Sequence, residues 1–485
     1  MQYLTNYPIF VKVFKNFKNI AGMIKMENKF DVIIIGAGPS GIFAALTLAK
    51  NGFRALILEK GTELENRNCP SKDGRCINCQ PCSILTGWGG AGAFSDGKLT
   101  LTTDFGGVLP EYVGEEMAAD LIERVDSIYL SFGAPKKLYG TEKKVFHDLR
   151  RQAADVDLDL RPASIRHLGT ENCFKVLERM RGVLEDRVQI LFRNAVRQII
   201  AEKGKVKGVV TEAGETFYAP YIVCGPGRQG SSWICEEAER LGVKIKNNPV
   251  DVGVRVEVPA KVMEHITSHL YESKYLYQSP SFDDRVRTFC MSPHGKVVIE
   301  NTEGVVTVNG HSYSEKESQT ENTNFALLVS KNFTEPFKEP VRYGRYIASL
   351  ANMLGGGVIV QRLGDLLSGS RSTPERMARG LTRPTLNKAT PGDLSLVLPY
   401  RHLCSILEMM QALDHIAPGI YSEHTLLYGV EVKFYSQRLE LTPQLETGVK
   451  NLFAVGDGAG ITRGLIQASA SGLYVGEEIS RRLHT

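Results

Sequence analysis

Residues 31–59, "DVIIIGAGPSGIFAALTLAKNGFRALILE", constrain this chain more than any other stretch. "DVIII" is a β-branched apolar run of the kind that lies buried in a parallel sheet. "GAGPSG" sets glycines at 36, 38 and 41, an Ala- and Leu-rich run reads as a helix closed by Gly52, and "RALILEK" reads as a second strand with Glu59 at its tip. Strand, glycine turn, helix, strand and terminal acid together separate a dinucleotide fingerprint from a chance G-x-G-x-x-G. Gly36 permits the tight turn, Gly38 lets a pyrophosphate approach the backbone, and Gly41 lets helix and strand pack closely. Pro39 and Ser40 open the helix, whose free N–H groups and dipole favour negative charge. Glu59, with Lys60 beside it, is placed to meet an adenosine ribose. A glycine-rich turn without a ligand is the competing reading, and the complete context disfavours it.

A chain of 485 residues is too long for one ordinary core, so two or three domains are expected. A hydrophobic content of 42% and a charged content of 23% are those of a globular protein. The formal charge of +4 is small and not gathered into blocks, which gives no support to nucleic-acid binding. No apolar run approaches the ~20 residues of a membrane span. Residues 1–28 lack the continuous apolar core of a secretory signal, and are expected as a peripheral extension, with Met26 as a candidate native start. Nine cysteines, four of them clustered, suit a reducing cytoplasm better than a disulfide framework.

The far end decides which dinucleotide. "NLFAVGDGAGITRGLIQASASGLYVGEEISRRL" is a short apolar strand, a loop with Gly456 and Asp457, and a long helix opening at Gly464, Leu465 and Ile466. An acid there can bind the ribityl hydroxyls of a flavin, and the helix N-terminus can stabilise negative charge at the flavin N1–C2=O edge. This split arrangement resembles the glutathione-reductase-like FAD/NAD(P)-binding superfamily. More narrowly, the chain resembles the uncharacterised FAD-dependent dehydrogenases of bacteria, through "GWGGAGAFSDGKL", "DVGVRVEVP", "VRTFC", "VTVNGHS", "TNFALL" and "GDGAGITRGLIQASASG". The resemblance covers most of the chain from residue 30 onward. It implies an α/β protein: a Rossmann-like FAD-binding domain with a parallel sheet and β-meander crossover, plus an inserted α+β substrate domain. It also implies FAD contacts from Gly89, Gly90, Ala91, Gly92, Ser95, Asp96 and Lys98 in the glycine loop, and from Val196 and Gly225 where the chain returns to the sheet.

"YIVCGPGRQG" repeats the glycine pattern at Gly225, Gly227 and Gly230. The helix after it is short, and the next strand-like stretch ends in Lys and Asn where a ribose-binding acid belongs. We read it as part of the FAD domain. No dedicated nicotinamide domain is then expected, and electrons arrive by transient NAD(P)H docking or from a donor protein. The expected organisation is an extension (1–28), FAD-binding segments at 29–105, 166–235 and 436–485, a helical connection (106–165) and a substrate domain (236–435). Within the last, alternating stretches read as strands, with helices near 325–331, 340–353 and 402–415.

Cys69, Cys76, Cys79 and Cys82 form C-x6-C-x2-C-x2-C directly before the glycine loop. Four thiolates suit a [4Fe–4S] cluster or a tetrahedral Zn site. A dithiol relay and ordinary reduced thiols are the other readings. A cluster there would feed single electrons to the flavin. Arg287, Cys290, His294, Asn309, His311 and Asn324 are substrate-site candidates in the inserted domain. His311 and His294 are the proton-transfer candidates among them, and Arg463 is the candidate for anchoring a substrate or the reduced flavin. The expected function is an FAD-dependent oxidoreductase moving a hydride between flavin and a small organic substrate. A flavin monooxygenase and a non-catalytic redox-sensing flavoprotein are the alternatives.

Overall fold

The computed structural model describes residues 29–485 apart from 71–76, 78, 303, 314, 334–335, 338 and 434–436. They form two compact units. One draws its described residues from Met1–Lys136, Thr170–Lys246 and Ser436–Thr485, the other from Lys137–Gly169 and Asn247–Tyr435.

The first unit is built on a five-stranded parallel sheet in the order Leu452–Ala454, Tyr221–Cys224, Val32–Ile35, Ala55–Leu58, Val188–Leu191. Its strands are apolar on both faces, as a parallel sheet covered on each side requires. Between Val188–Leu191 and Tyr221–Cys224 the chain makes an antiparallel meander of Val196–Glu202, Lys205–Thr211 and Thr216–Tyr218. Helix Pro39–Lys50 is buried from Ser40 to Ala49, so it is an interior helix and not an amphipathic surface one. It lies against the closing helix, Leu465–His484. There Gly472 and Gly476 let the two backbones meet: a Cβ on Gly472 would overlap the carbonyl of Ser40, and one on Gly476 would come within 2.8 Å of Thr47 Cβ.

The second glycine motif follows Tyr221–Cys224, a strand of this same sheet. A Cβ on Gly36 would overlap the carbonyl oxygen of Gly225, so the two motifs pack on each other.

The second unit is built on an eight-stranded mixed sheet in the order Thr390–Pro391, Ile359–Arg362, Leu426–Lys433, Val250–Pro259, Asn322–Lys331, Arg285–Ser292, Lys274–Gln278, Leu158–Arg161. "VDVGVRVEVP" shows its construction. Val250, Val252, Val254, Val256 and Val258 enter a core with Phe325, Leu327 and Val329 and residues of helices Pro340–Gly355 and Tyr400–Ile416. Asp251, Arg255 and Glu257 take the other face. Arg255 and Glu431 form an ion pair there at 2.8 Å with both side chains fully buried.

The structure departs from the sequence reading at two places. Residues 325–331, expected as a helix, lie in strand Asn322–Lys331. "FALLV" is completely buried, and a short apolar run carries no period by which to tell helix from strand. The stretch 106–165, expected as a helical connection, also contains strand Leu158–Arg161 at the sheet edge. Among the described residues no helix is long and apolar enough to cross a membrane.

Candidate cofactor site

Gly36 turns the chain with φ +96° and donates its N–H to Leu58 O at 2.8 Å. Gly38 is the N-cap of helix Pro39–Lys50, with no side chain capping it. The first turn of a helix has N–H groups without intrahelical partners, and a Cβ built on Gly38 meets nothing within 4 Å. Gly41 is the opposite case, since a Cβ there would overlap Gly36 O. Ser40 Oγ lies 2.6 Å from the position a Cβ on Gly456 would take, which joins the first and last segments of the unit.

Glu59 does more than wait for a ribose. Its carboxylate accepts N–H bonds from Ala37 and Gly61 at 2.8 Å and from Gly87 at 2.9 Å, at 5% exposure. A carboxylate has about four acceptor positions, so one remains for a hydroxyl. Lys60 donates to Gln229 O at 3.0 Å. Burial pushes its ammonium pKa down, and Glu59, Glu212 and Cys82 pull it back.

Arg67 organises the glycine loop from beneath. At 1% exposure its guanidinium donates to the carbonyls of Ser83 (3.0 Å), Ile84 (2.7 Å) and Trp88 (2.5 Å). Burial lowers its pKa to about 10, opposed by Glu59 and Cys82. Trp88 Nε1 donates to Leu177 O at 2.9 Å, and Gly89 N to Ala37 O at 2.8 Å. Gly90 stands over Gly38, its Cβ direction ending 3.1 Å from Gly38 Cα. A Cβ on Gly92 would fall 2.6 Å from Leu465 Cδ2 and 3.6 Å from Pro39 Cγ, between the starts of the two buried helices. Ala91 lies in the same 3₁₀ turn, Gly90–Phe94. Ser95 Oγ donates to Gly92 O at 2.8 Å. Asp96 and Lys98 form a buried ion pair at 3.0 Å.

At the closing segment, Gly456 N donates to Ser471 Oγ at 3.1 Å. Asp457 Oδ1 accepts from Thr462 Oγ1 at 2.7 Å. Burial raises the Asp457 pKa, while Arg228, Thr462 and Arg463 pull it down. Gly464 caps the closing helix with extended backbone and no side-chain cap, which leaves the first-turn N–H groups of Leu465 and Ile466 without intrahelical partners. Arg463 N donates to Gly106 O at 2.7 Å. Val196 opens the meander, buried and paired with Thr211. Gln467, which the sequence reading passed over, is fully buried in this turn; its Nε2 donates to Phe105 O at 2.8 Å and its Oε1 has no partner among the described residues. A lone amide within "LIQASASG" was the available signal.

In the second unit, half of the substrate-site candidates turn out to serve Arg255. Its guanidinium donates to Cys290 O (3.0 Å), Asn324 Oδ1 (2.8 Å) and Asn309 Oδ1 (3.3 Å). Arg287 is paired with Asp251 and lies 4.7 Å from the centre of the Phe289 ring. His294 donates Nδ1–H to Thr320 O at 3.0 Å, which sets its tautomer and leaves Nε2 as the proton-accepting atom. His311 ends the hairpin strand Val305–His311, opposite Lys296. Both histidines belong to the second unit and Arg463 to the first.

Cys69 is exposed, Cys79 and Cys82 are half-buried, and Cys76 lies outside the described residues. Among the described residues, no group of three or more His, Cys, Asp or Glu side chains is arranged to hold a metal ion.

Do these residues fit FAD? Two uncapped helix starts, open space at Gly38, a carboxylate with one position to spare at the tip of the second strand and a half-buried carboxylate at Asp457 match its pyrophosphate, ribose and ribityl groups. Comparison with known proteins agrees. A family described as "FAD binding domain" matches residues 29–321, more than half of the chain, and one described as "FAD-dependent protein, C-terminal domain-like" matches residues 249–434. An uncharacterised protein of Clostridium beijerinckii is 28% identical over 478 residues, covering 93% of this chain and 81% of that protein. The tRNA uridine 5-carboxymethylaminomethyl modification enzyme of Lactobacillus johnsonii is 24% identical over 203 residues, 41% of this chain and 24% of that enzyme. The solved 3-ketosteroid-delta4-(5alpha)-dehydrogenase of Rhodococcus jostii is 14% identical with a TM-score of 0.43, over 93% of this chain and 97% of that one, too loose a likeness to speak for chemistry. The chain belongs to the FAD-binding domain family.

Proposed function

We propose that this FAD-binding protein is an oxidoreductase that moves a hydride between FAD and a carbon–carbon or carbon–nitrogen bond of a small organic substrate. What carries the reading is the convergence, within one unit, of the open helix start at Gly38, the glycine loop at Gly90 and Gly92, and the uncapped helix start after Gly464. FAD, when bound, supplies the ring that takes up or delivers the hydride. The residues supply everything else. The N–H groups after Gly38 hold the pyrophosphate, Glu59 the ribose, and Asp457 the ribityl hydroxyls. The N–H groups of Leu465 and Ile466 would hold the flavin's N1–C2=O edge, where they would stabilise negative charge. His294, through Nε2, and His311 are the proposed proton-handling groups, and Arg463 the proposed anchor for an anionic group.

Electrons enter, in this proposal, from transiently docked NAD(P)H or from a donor protein. The cysteine motif is left out of the mechanism, and assay of iron, acid-labile sulfide and zinc on anaerobically purified protein tests it separately. The decisive experiment is anaerobic stopped-flow reduction of the FAD-loaded protein with NADH, NADPH and a reduced ferredoxin. Bleaching of the flavin bands by at least one is expected. If none of these, and no candidate substrate, reduces the flavin, the hydride-transfer reading fails.

A further inference from the structure

The first turn of the closing helix offers donors only. The pyrimidine edge of an isoalloxazine is different: two carbonyl oxygens flank an imide N–H, so a complete partner must also present an acceptor. The backbone acceptors nearby each already take one hydrogen bond, unlike the side-chain oxygen beside them. Phe105 O takes Gln467 Nε2 at 2.8 Å, Gly106 O takes Arg463 N at 2.7 Å, and Ile461 O takes Val108 N at 2.8 Å. Gln467 Oε1 remains: it belongs to a fully buried side chain and has no partner among the described residues.

Its orientation is set. Flipping the amide would bring two oxygens together at Phe105, so the hydrogen bond to that carbonyl holds the oxygen where it is. Gly107 makes room for it. With φ +141° this residue takes a conformation that favours glycine, and a Cβ there would sit 2.7 Å from Oε1. Gly106, before it, also has a positive φ, +94°, though a Cβ there would make only ordinary contact with the Gln467 side chain, 3.6 Å from Cγ. A buried acceptor left unpaired costs stability, so a cleared, oriented one implies a donor that none of the described residues supplies.

We propose that Gln467 is the acceptor for the imide N–H of the flavin pyrimidine ring, and thus a residue that positions the ring against the closing helix. The proposal rests on the reading of this unit as a flavin site.

The test compares FAD with N3-methyl-FAD, which lacks that donor, by titrating deflavinated protein and following fluorescence. Wild type is expected to bind FAD about tenfold or more tightly than the methylated analogue. Gln467→Glu, read at a pH where the buried carboxyl is protonated and its O–H donates to Phe105 O, retains an acceptor and is expected to keep the preference. Gln467→Met retains the bulk without the acceptor, and is expected to bind FAD about tenfold more weakly and to lose most of the preference. No preference in wild type, or an undiminished one in Gln467→Met, overturns the proposal. Should the Met variant not fold, wild type loaded with ¹⁵N3-labelled FAD decides. An imide proton protected from exchange supports the proposal, and one exchanging as in free FAD defeats it. Failure of wild type to take up FAD at all is a different result, and sinks the flavin site itself.

Discussion

His402 is 2% exposed on helix Tyr400–Ile416, and neither ring nitrogen has a hydrogen-bond partner among the described residues. Burial lowers its pKa to about 4, Lys331 and Arg401 add to the effect, and Asp284 opposes it. The unfolded chain takes up this proton near pH 6.5, whereas the folded protein waits until about pH 4. Stability is therefore untouched above pH 6.5 and falls steadily between the two values, by roughly 3 kcal/mol in all. Urea melts across pH 4 to 7 check this: His402→Leu should flatten the acid limb by about that amount, and an unchanged limb would refute it. Glu59 makes a second case. Because it already serves three backbone N–H groups, Glu59→Gln should weaken even the FAD-free protein, by about 1–3 kcal/mol, as well as its affinity for FAD. Apo-protein stability equal to wild type would show that those bonds carry no weight. In the sequence Glu59 announces only its place at a strand tip, because two of its backbone partners, Ala37 and Gly87, are 22 and 28 residues away.

At the scale of elements, the glycines divide by what surrounds them. A Cβ at Gly38 enters open space, so Gly38→Ala should fold with near wild-type stability and bind FAD at least tenfold more weakly. A Cβ at Gly472 collides with the backbone of the first helix, so Gly472→Ala should cost about 2–4 kcal/mol whether or not FAD is present. Thermal melts and FAD titrations of the two variants separate the roles, and equal loss of stability in both would contradict the division. The βαβ unit was legible because glycine spacing, helix length and β-branched runs all agree on it. Strand Asn322–Lys331 was not, because every residue of "FALLV" is buried and burial on both faces erases the alternation that marks a strand.

For the molecule as a whole, each unit is assembled from separated pieces of chain. Three of the glycine-bearing segments of the FAD site come from both ends of the first unit, so bound FAD should hold together what the chain does not join. Added at a hundredfold excess over its dissociation constant, FAD should stabilise the native state by about 2.7 kcal/mol, seen as a melting temperature that rises with FAD concentration. A melting temperature indifferent to FAD would exclude binding to the folded state. By itself the sequence determined the nucleotide fold, the choice of flavin and the terminal acid, since local spacing and backbone propensity are written in consecutive residues. Only the tertiary structure decided that Glu59 and Arg67 brace the glycine loops, that Arg255 claims Cys290, Asn309 and Asn324, and that Gln467 holds an oriented acceptor with no partner among the described residues. Those roles depend on which hydrogen-bond partners remain once distant segments are packed, and packing leaves no periodicity in the sequence.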